Sequence, residues 1–517
     1  MKVLNKTKNT VDGVFWGVLG HFISMILSFV VRSIIIKTLG NEYVGLNGLF
    51  SSILTVLNLA ELGFGSALVY GMYKPIAEES YDQISAYLSY LKKAYLVIGL
   101  AILFCGIIVV PFLPRLIHGE IPPDVNLYFL FSIYLFNTVA SYFLGAYRAS
   151  LLSAFQRQGD DSRLHLFVNT AMYIVQIIIL LFYQNYYYYV ITIPVFTIIY
   201  NVSRYIYVSK KYPDIRPKGD LQATQKAEIK NKAKALLAHK IGGVTVNSVD
   251  NIVISAFLGL TQLALYNNYY IILSAITSIV TICFRSLTAG IGNNLIVHSK
   301  IENRNLFFSV FCVNGAIVSV STTCLFSAYQ DFVKMWVGEE NTLPIITVIL
   351  ICLYYFIHTI RRTIIMYRDA SGLWEDNRFQ PLVSAAVNLV INISLVNIIG
   401  LNGIIISTII SMVFVDIPWE SLAFFRKQFN TTIKRYVARM LSYLTVTIVS
   451  CALTYIVQEH IMIVNKYLEL AFDVFIAVVI SIGLFLLVYH KNSEMAFLKS
   501  KTKATFKLLF SFTKGKT

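Results

Sequence analysis

Apolar residues along the 517-residue chain gather into runs of about 20 separated by short polar stretches, which is the spacing of membrane-crossing helices. Fourteen such runs begin near Val14, Val44, Tyr95, Val125, Leu164, Tyr186, Leu236, Leu263, Leu306, Leu343, Pro381, Leu401, Tyr436 and Leu468. At about 20 residues each they consume roughly 280 residues, so no connecting loop is long enough for a folded soluble domain. The pattern predicts an all-α integral membrane protein of about 14 transmembrane helices. The first run, residues 14–36, is too long for a signal h-region and is expected to stay as the first span.

The polar stretches carry the orientation. With the N-terminus in the cytoplasm, all but five of the 43 Lys and Arg residues fall on the inner side. The exceptions are Arg32, Lys37, Arg115, Lys334 and Lys466. A missed span would put the following loops in antiphase, so this distribution predicts an even span count with both termini cytoplasmic. Residues 186–189, four consecutive tyrosines, fall at an expected outer turn and read as interfacial anchors. The basic loop 210–235 and the tail after Lys491 read as amphipathic segments lying on anionic lipid, or else as solvated disorder.

Composition agrees with this reading. The chain is 56% hydrophobic and 14% charged, with a mean hydropathy of +0.66, whereas soluble domains carry about 25% charged residues. A net charge of +16 would suggest nucleic acid as partner of a soluble protein, but here most of it is spent on orientation. Cys105, Cys283, Cys312, Cys324, Cys352 and Cys451 all sit inside apolar runs without paired spacing, which implies neither a disulfide framework nor a metal site. Motifs for nucleotide hydrolysis, zinc chemistry and acyl transfer do not occur, so no cofactor is expected and function must come from polar groups within spans.

Sliding the chain by 219 residues brings Leu39-Gly40 onto Leu258-Gly259 and Gly45-Leu46 onto Ala264-Leu265. Two six-helix units in parallel pseudo-repeat follow, with an N-terminal lobe at 1–215, a C-terminal lobe at 216–430, and two further helices with a basic tail at 431–517. In the first span His21 and Arg32 are eleven residues apart, three helical turns, and share one face to within roughly 20°. In the seventh, Lys240, Asn247 and Asn251 form a matching stripe with Asp250 beside it. Under the offset His21 falls on Lys240 and Arg32 on Asn251, so the first helices of both halves are expected to line one cavity.

An ionised group near the bilayer centre costs about 2.5 to 3.5 kcal/mol and usually faces a partner or a wet cavity. Glu61 lies roughly 6 Å from the midplane, level with His21, and the two could pair; a packing carboxylate bonded to a neighbouring helix is the plainer alternative. For Arg32 the plainer alternative is snorkelling to outer headgroups. Arg148, Arg285, Arg361 and Arg362 sit at cytoplasmic ends of spans, as flanking charge or as a basic mouth for a phosphate headgroup.

Residues 32–77, RSIIIKTLGNEYVGLNGLFSSILTVLNLAELGFGSALVYGMYKPIA, resemble the N-terminal signature of the Wzx-like polysaccharide flippases, within the multidrug/oligosaccharidyl-lipid/polysaccharide exporter superfamily. Residues 239–259, HKIGGVTVNSVDNIVISAFLG, resemble the start of their second half. The resemblance implies a non-enzymatic transporter of the bacterial plasma membrane. Its cargo would be an undecaprenyl-pyrophosphate-linked oligosaccharide, moved by alternating access for capsule or exopolysaccharide, with polymerase and glycosyltransferases of the pathway as possible partners. Arg32, His21 and Lys240, then Arg285, with Asn247 and Asn251 beside them, would receive the diphosphate, while Glu61 and Asp250 are the candidate cavity acids. The lipid II flippases of the superfamily look richer in arginine in their first two helices, which favours a polysaccharide repeat unit over the peptidoglycan precursor. The alternative is a multidrug and toxin efflux cation antiporter, for which twelve spans would be expected. A membrane glycosyltransferase or polymerase would need a large outer loop or soluble domain that this chain lacks.

Overall fold

The computed structural model describes residues 6–58, 64–373, 377, 379–461 and 463–496, excepting the side chains of residues 6–8, 10–11, 234–247, 285–286 and 289. Among the described residues every regular element is helical. By packing, the chain divides into two compact units, Met1–Asn267 and Asn268–Thr517.

The first unit holds α1 (Lys6–Thr38), α2 (Asn41–Leu57), α3 (Phe64–Ala77), α4 (Tyr81–Val109), α5 (Leu127–Phe143), α6 (Ala149–Ala154), α7 (Gln158–Phe182), α8 (Tyr186–Lys211) and α9 (Ala223–Leu258), then the first turns of α10 (Leu260–Val297). The α1–α7 pair packs along its length. A stripe of Gly13, Gly17 and Gly20 on α1 meets Gly159, Ser162 and Leu166 on α7; a Cβ on Gly159 would sit 2.9 Å from the Gly13 nitrogen. Small residues suit such contacts because apolar surface gains nothing by leaving lipid, so close backbone approach and dispersion must hold the helices. Ser24 accepts from Asn169 at 2.9 Å in the same interface. Where chains re-enter after short turns, Asn126 and Asn185 cap α5 and α8 by accepting from the Phe129 and Tyr188 amides.

In the second unit α11 (Lys300–Val337) is the central helix, started by a Ser299/Glu302 capping box and packed on α12 (Ile345–Ile360), α17 (Lys434–Glu459) and α18 (Lys466–Tyr489). Around it stand α13 (Arg362–Ser371), α14 (Gln380–Ile399), α15 (Leu401–Ser411) and α16 (Ile417–Phe424), with π-turns at Met412–Asp416 and Phe425–Phe429. Phe307 anchors an aromatic core with Tyr367, Phe424 and Phe425 at ring separations of 5.0, 5.7 and 5.2 Å.

Among the described residues eleven helical segments are long and apolar enough to cross a membrane, and the pair α5 and α6, bent by 48°, makes a twelfth if it is one span. The other two expected spans, beginning near Val44 and Leu236, run through residues 59–63 and 234–247, which lie wholly or in their side chains outside the described residues. Two expectations change. The tyrosine run is not an interfacial belt throughout: Tyr186 and Tyr189 are buried, and the Tyr186 hydroxyl donates to the Tyr43 carbonyl at 2.9 Å. The basic loop is not a separate surface segment, because α9 starts at Ala223 and buries Ile229 and Ala233. The tail expectation, from residue 497 on, falls outside the described residues.

Packing and sequence repeat divide the chain at different points. By the repeat, α9 opens the second half after residue 215; by packing it belongs with α2 and α3 in the first unit.

Candidate substrate path at the repeat seam

The two Leu-Gly matches acquire a physical reason. Gly40, between α1 and α2, has φ +121° and ψ 173°; Gly259, between α9 and α10, has φ +90° and ψ 175°. This corner of conformational space is open essentially to glycine alone. Both halves therefore break their first helix from their second with the same glycine-dependent bend.

Residues related by the 219 offset also touch. Thr261 donates its hydroxyl to Glu42 at 2.8 Å, and these positions are exactly one repeat apart in number. Gly48 and Asn267 are likewise equivalent, and a Cβ on Gly48 would lie 2.6 Å from the Asn267 side-chain nitrogen. In any two-fold arrangement, equivalent positions meet only beside the axis. Under the repeat reading these contacts lie where a pseudo-axis would pass, and Gly45 permits the close approach of α2 and α10 by lying against the Leu260 carbonyl.

The predicted polar positions are used at this seam. Arg32 of α1 donates to the Ala264 carbonyl of α10 at 3.4 Å, and its repeat equivalent Asn251 of α9 donates to the Ser52 hydroxyl of α2 at 2.9 Å. Each half's first helix thus donates to the other half's second helix. Asp250 is buried beside Asn251. His21 lies eleven residues back along α1, about 16 Å by helical rise, and is exposed, so it does not join Arg32 at the seam. Glu61, and the side chains of Lys240, Asn247 and Arg285, lie outside the described residues, as does the expected Glu61–His21 pairing.

A cavity of about 510 Å³ opens beside the seam, between Leu39, Glu42 and Tyr43 on one repeat and Leu258, Gly259 and Thr261 on the other. The connection after α4 closes over it: the His118 amide donates to the Ser255 carbonyl at 2.9 Å, and Ser255 donates to the Leu116 carbonyl at 2.7 Å. Glu120 also lines this cavity, and Asp124 accepts from Tyr43 nearby.

Reading the sequence for cations missed Glu42, Ser52 and Thr261. The signal was available for one pair, since Thr261 and Glu42 are a donor and an acceptor at equivalent repeat positions. Arg361 was read as flanking charge or as a basic mouth, and the structure gives a different account. Its guanidinium is buried and paired with Asp416 at 2.9 Å and Glu420 at 3.0 Å, and Arg368 reaches Glu420 at 3.5 Å.

These features define a multi-pass, all-α membrane protein in which the polar residues of α1 and α9 reach across to α10 and α2. The chain belongs to the polysaccharide biosynthesis protein family, whose model matches residues 10–287. The fold is that of known transporters. The lipid II flippase MurJ in an inward closed conformation superposes with a TM-score of 0.69 at 14% identity, over 92% of this chain and 99% of that one. An inward-facing multidrug resistance MATE family transporter of the MOP superfamily gives 0.60 at 13% identity, over 78% and 94%. A MOP superfamily transporter from Pyrococcus furiosus gives 0.52 at 12% identity, over 84% and 99%. These are flippases and transporters, not catalytic enzymes. Comparison with the curated proteins finds no match.

Proposed function

We propose that the protein is a flippase that carries an undecaprenyl-pyrophosphate-linked oligosaccharide repeat unit across the bacterial plasma membrane by alternating access, supplying capsule, exopolysaccharide or another surface polymer. It would sit with both termini in the cytoplasm, which puts the Leu-Gly breaks and the shut seam at the outer end. The observation that carries this reading is the seam itself: two repeats meeting at a pseudo-axis through a few polar contacts, in a chain of the polysaccharide biosynthesis family.

The costly part of such a cargo is its diphosphate, because an ionised group stripped of water is penalised heavily in hydrocarbon. Cationic donors that replace its water and counterions lower that cost, and charge-assisted hydrogen bonds are the strong ones. Arg32, His21, Lys240 and Arg285 are the proposed donors, with Asn247 and Asn251 as neutral partners. The polyprenyl chain can remain in lipid. When the outer seam parts, Arg32 exchanges its carbonyl acceptor on α10 for a diphosphate oxygen, while Glu42 and Glu120 at the exit repel the cargo and favour release. Asp250 and Glu61 are the candidate coupling acids.

In cells, Arg32→Ala and Lys240→Ala are each expected to lower surface polysaccharide at least tenfold at unchanged protein level, scored by immunoblot of both. Undiminished polymer in both variants would remove these residues from the site. Dye-efflux resistance conferred by expression, with no effect on polymer, would favour the cation antiporter alternative, which would use Asp250 and Glu61.

A further inference from the structure

Away from the seam, the first unit contains a second basic feature, centred on Arg148, which the sequence offered only as flanking charge or as a basic mouth for a phosphate headgroup. The α5–α6 junction turns at Gly145, whose φ of +93° is left-handed and whose position leaves a Cβ only 3.4 Å from Tyr205. The turn brings Arg148 inward until 4% of it is exposed. One guanidinium nitrogen donates to the Ser209 hydroxyl at 2.5 Å, and the group lies over the Tyr205 ring at 3.9 Å. Its Nε is buried without an acceptor. Among the described residues no carboxylate pairs with Arg148, whereas the buried Arg204 has Asp161 at 2.8 Å and Arg361 has two acids. A buried guanidinium without a counter-charge is costly.

Arg148 lines a cavity of about 610 Å³ whose other charged residues are Lys92 of α4 and Arg216 of the loop after α8; no acid lines it. Both rim cations are exposed. The cavity thus presents three positive charges and no negative one. The rest of its wall mixes Ser209, Tyr205 and Tyr212 with apolar side chains, of which Phe143 on α5 and Val202 on α8 are 45% and 42% exposed. That exposed surface continues along the same helix faces through Phe136, seven residues from Phe143, and through Ile199 and Val195. A ligand that satisfies both parts is an anion at one end and a hydrocarbon chain at the other.

We propose that this cavity is a binding site for the phosphate of an anionic glycerophospholipid, such as phosphatidylglycerol. Arg148 holds the phosphate from beneath, Lys92 and Arg216 close on it from the rim, and the acyl chains lie against Phe143, Phe136 and Val202. The site is built from α4, α5, the α5–α6 junction, α8 and the following loop, and none of its residues is among the proposed cargo donors. It therefore stands whether or not the flippase reading does.

The test uses the full-length protein in detergent micelles, with the melting temperature followed as dioleoylphosphatidylglycerol, dioleoylphosphatidylcholine or inorganic phosphate is added. Phosphatidylglycerol is expected to raise the melting temperature saturably, and phosphatidylcholine is not. The K92Q/R216Q variant, altered only at exposed positions, is expected to melt normally without lipid and to bind phosphatidylglycerol at least tenfold more weakly. K74Q/K434Q, which removes the same charge from exposed positions elsewhere, is expected to bind as the wild type does. Equal affinity in wild type and K92Q/R216Q, or equal loss in K74Q/K434Q, would overturn the proposal. An inorganic phosphate response matching that of phosphatidylglycerol would overturn the lipid assignment and make the cavity a soluble-phosphate site.

Discussion

A guanidinium inside a span needs acceptors, and Arg32 and Arg361 find different kinds. Arg32 donates to a backbone carbonyl of another helix, a bond that a phosphate oxygen could replace at little loss. Arg361 is clamped by Asp416 and Glu420, which leaves it no role in receiving an anion. Removing one member of a buried ion cluster leaves a charge uncompensated and costs about 3–5 kcal/mol. Glu420→Ala is therefore expected to destabilise the protein by that order, seen as a large fall in melting temperature. A second acid acts beyond the last span: Glu494 binds Arg435 at 2.8 Å and Arg439 at 2.9 Å. Burial works to raise its carboxyl, but the hydrogen bond from Arg435 and the charge of Arg439 outweigh it, and the group is held below the usual glutamate range. A depressed carboxylate stabilises the fold above its unfolded value, near 4.3, and that contribution is lost as pH falls through the folded value. Glu494→Gln is expected to lower the melting temperature at pH 7 and to flatten its decline in acid; an unchanged profile would show that the clamp does not matter. The Arg361 cluster was only partly legible in the sequence. Asp416 and Glu420, four residues apart on one helical face, demanded a partner, but which of the cations supplied it is decided by packing between distant helices.

At the scale of elements, each expected span start falls in or next to a helix, because a run of about 20 apolar residues is a local property of the chain. Breaks within those runs were harder to read. The span expected near Leu343 is split into α12 and α13 at Arg361, and that near Val125 into α5 and α6. The tyrosine run was misread for a related reason: an aromatic at a turn suits an interface or a core equally, and only packing against Tyr43, at 4.9 Å between rings, decides for Tyr186. The Leu-Gly matches, in contrast, were visible in sequence because the bend they make excludes other residues. The seam they create has a direct test. In a background with the exposed Cys105 and Cys283 changed to serine, the pair E42C/T261C is expected to cross-link on oxidation and to stop polymer export, with recovery on reduction. Full export by the cross-linked protein would show that the seam does not open during transport.

Across the whole molecule, the proposed orientation with both termini in the cytoplasm would account for most of the net charge of +16 and leave little of it for cargo. Cations with other work include Arg32 at the seam, Arg148 in the lateral cavity, Arg361 and Arg368 in one ion cluster, and Arg435 and Arg439 on Glu494. The repeat reading makes α1 and α9 equivalent first helices, and in the structure Arg32 of α1 donates to α10 while Asn251 of α9 donates to α2. That reciprocity is what an alternating-access device needs, since one set of contacts can be exchanged for another without unfolding either half. The measurement that tests this most directly is transbilayer movement of a fluorescent undecaprenyl-pyrophosphate-linked oligosaccharide in proteoliposomes, read by quencher access to the outer leaflet. The wild-type protein is expected to exchange the lipid at least tenfold faster than protein-free liposomes, with Arg32→Ala near the protein-free rate. Exchange by the wild type no faster than in protein-free liposomes would contradict the account.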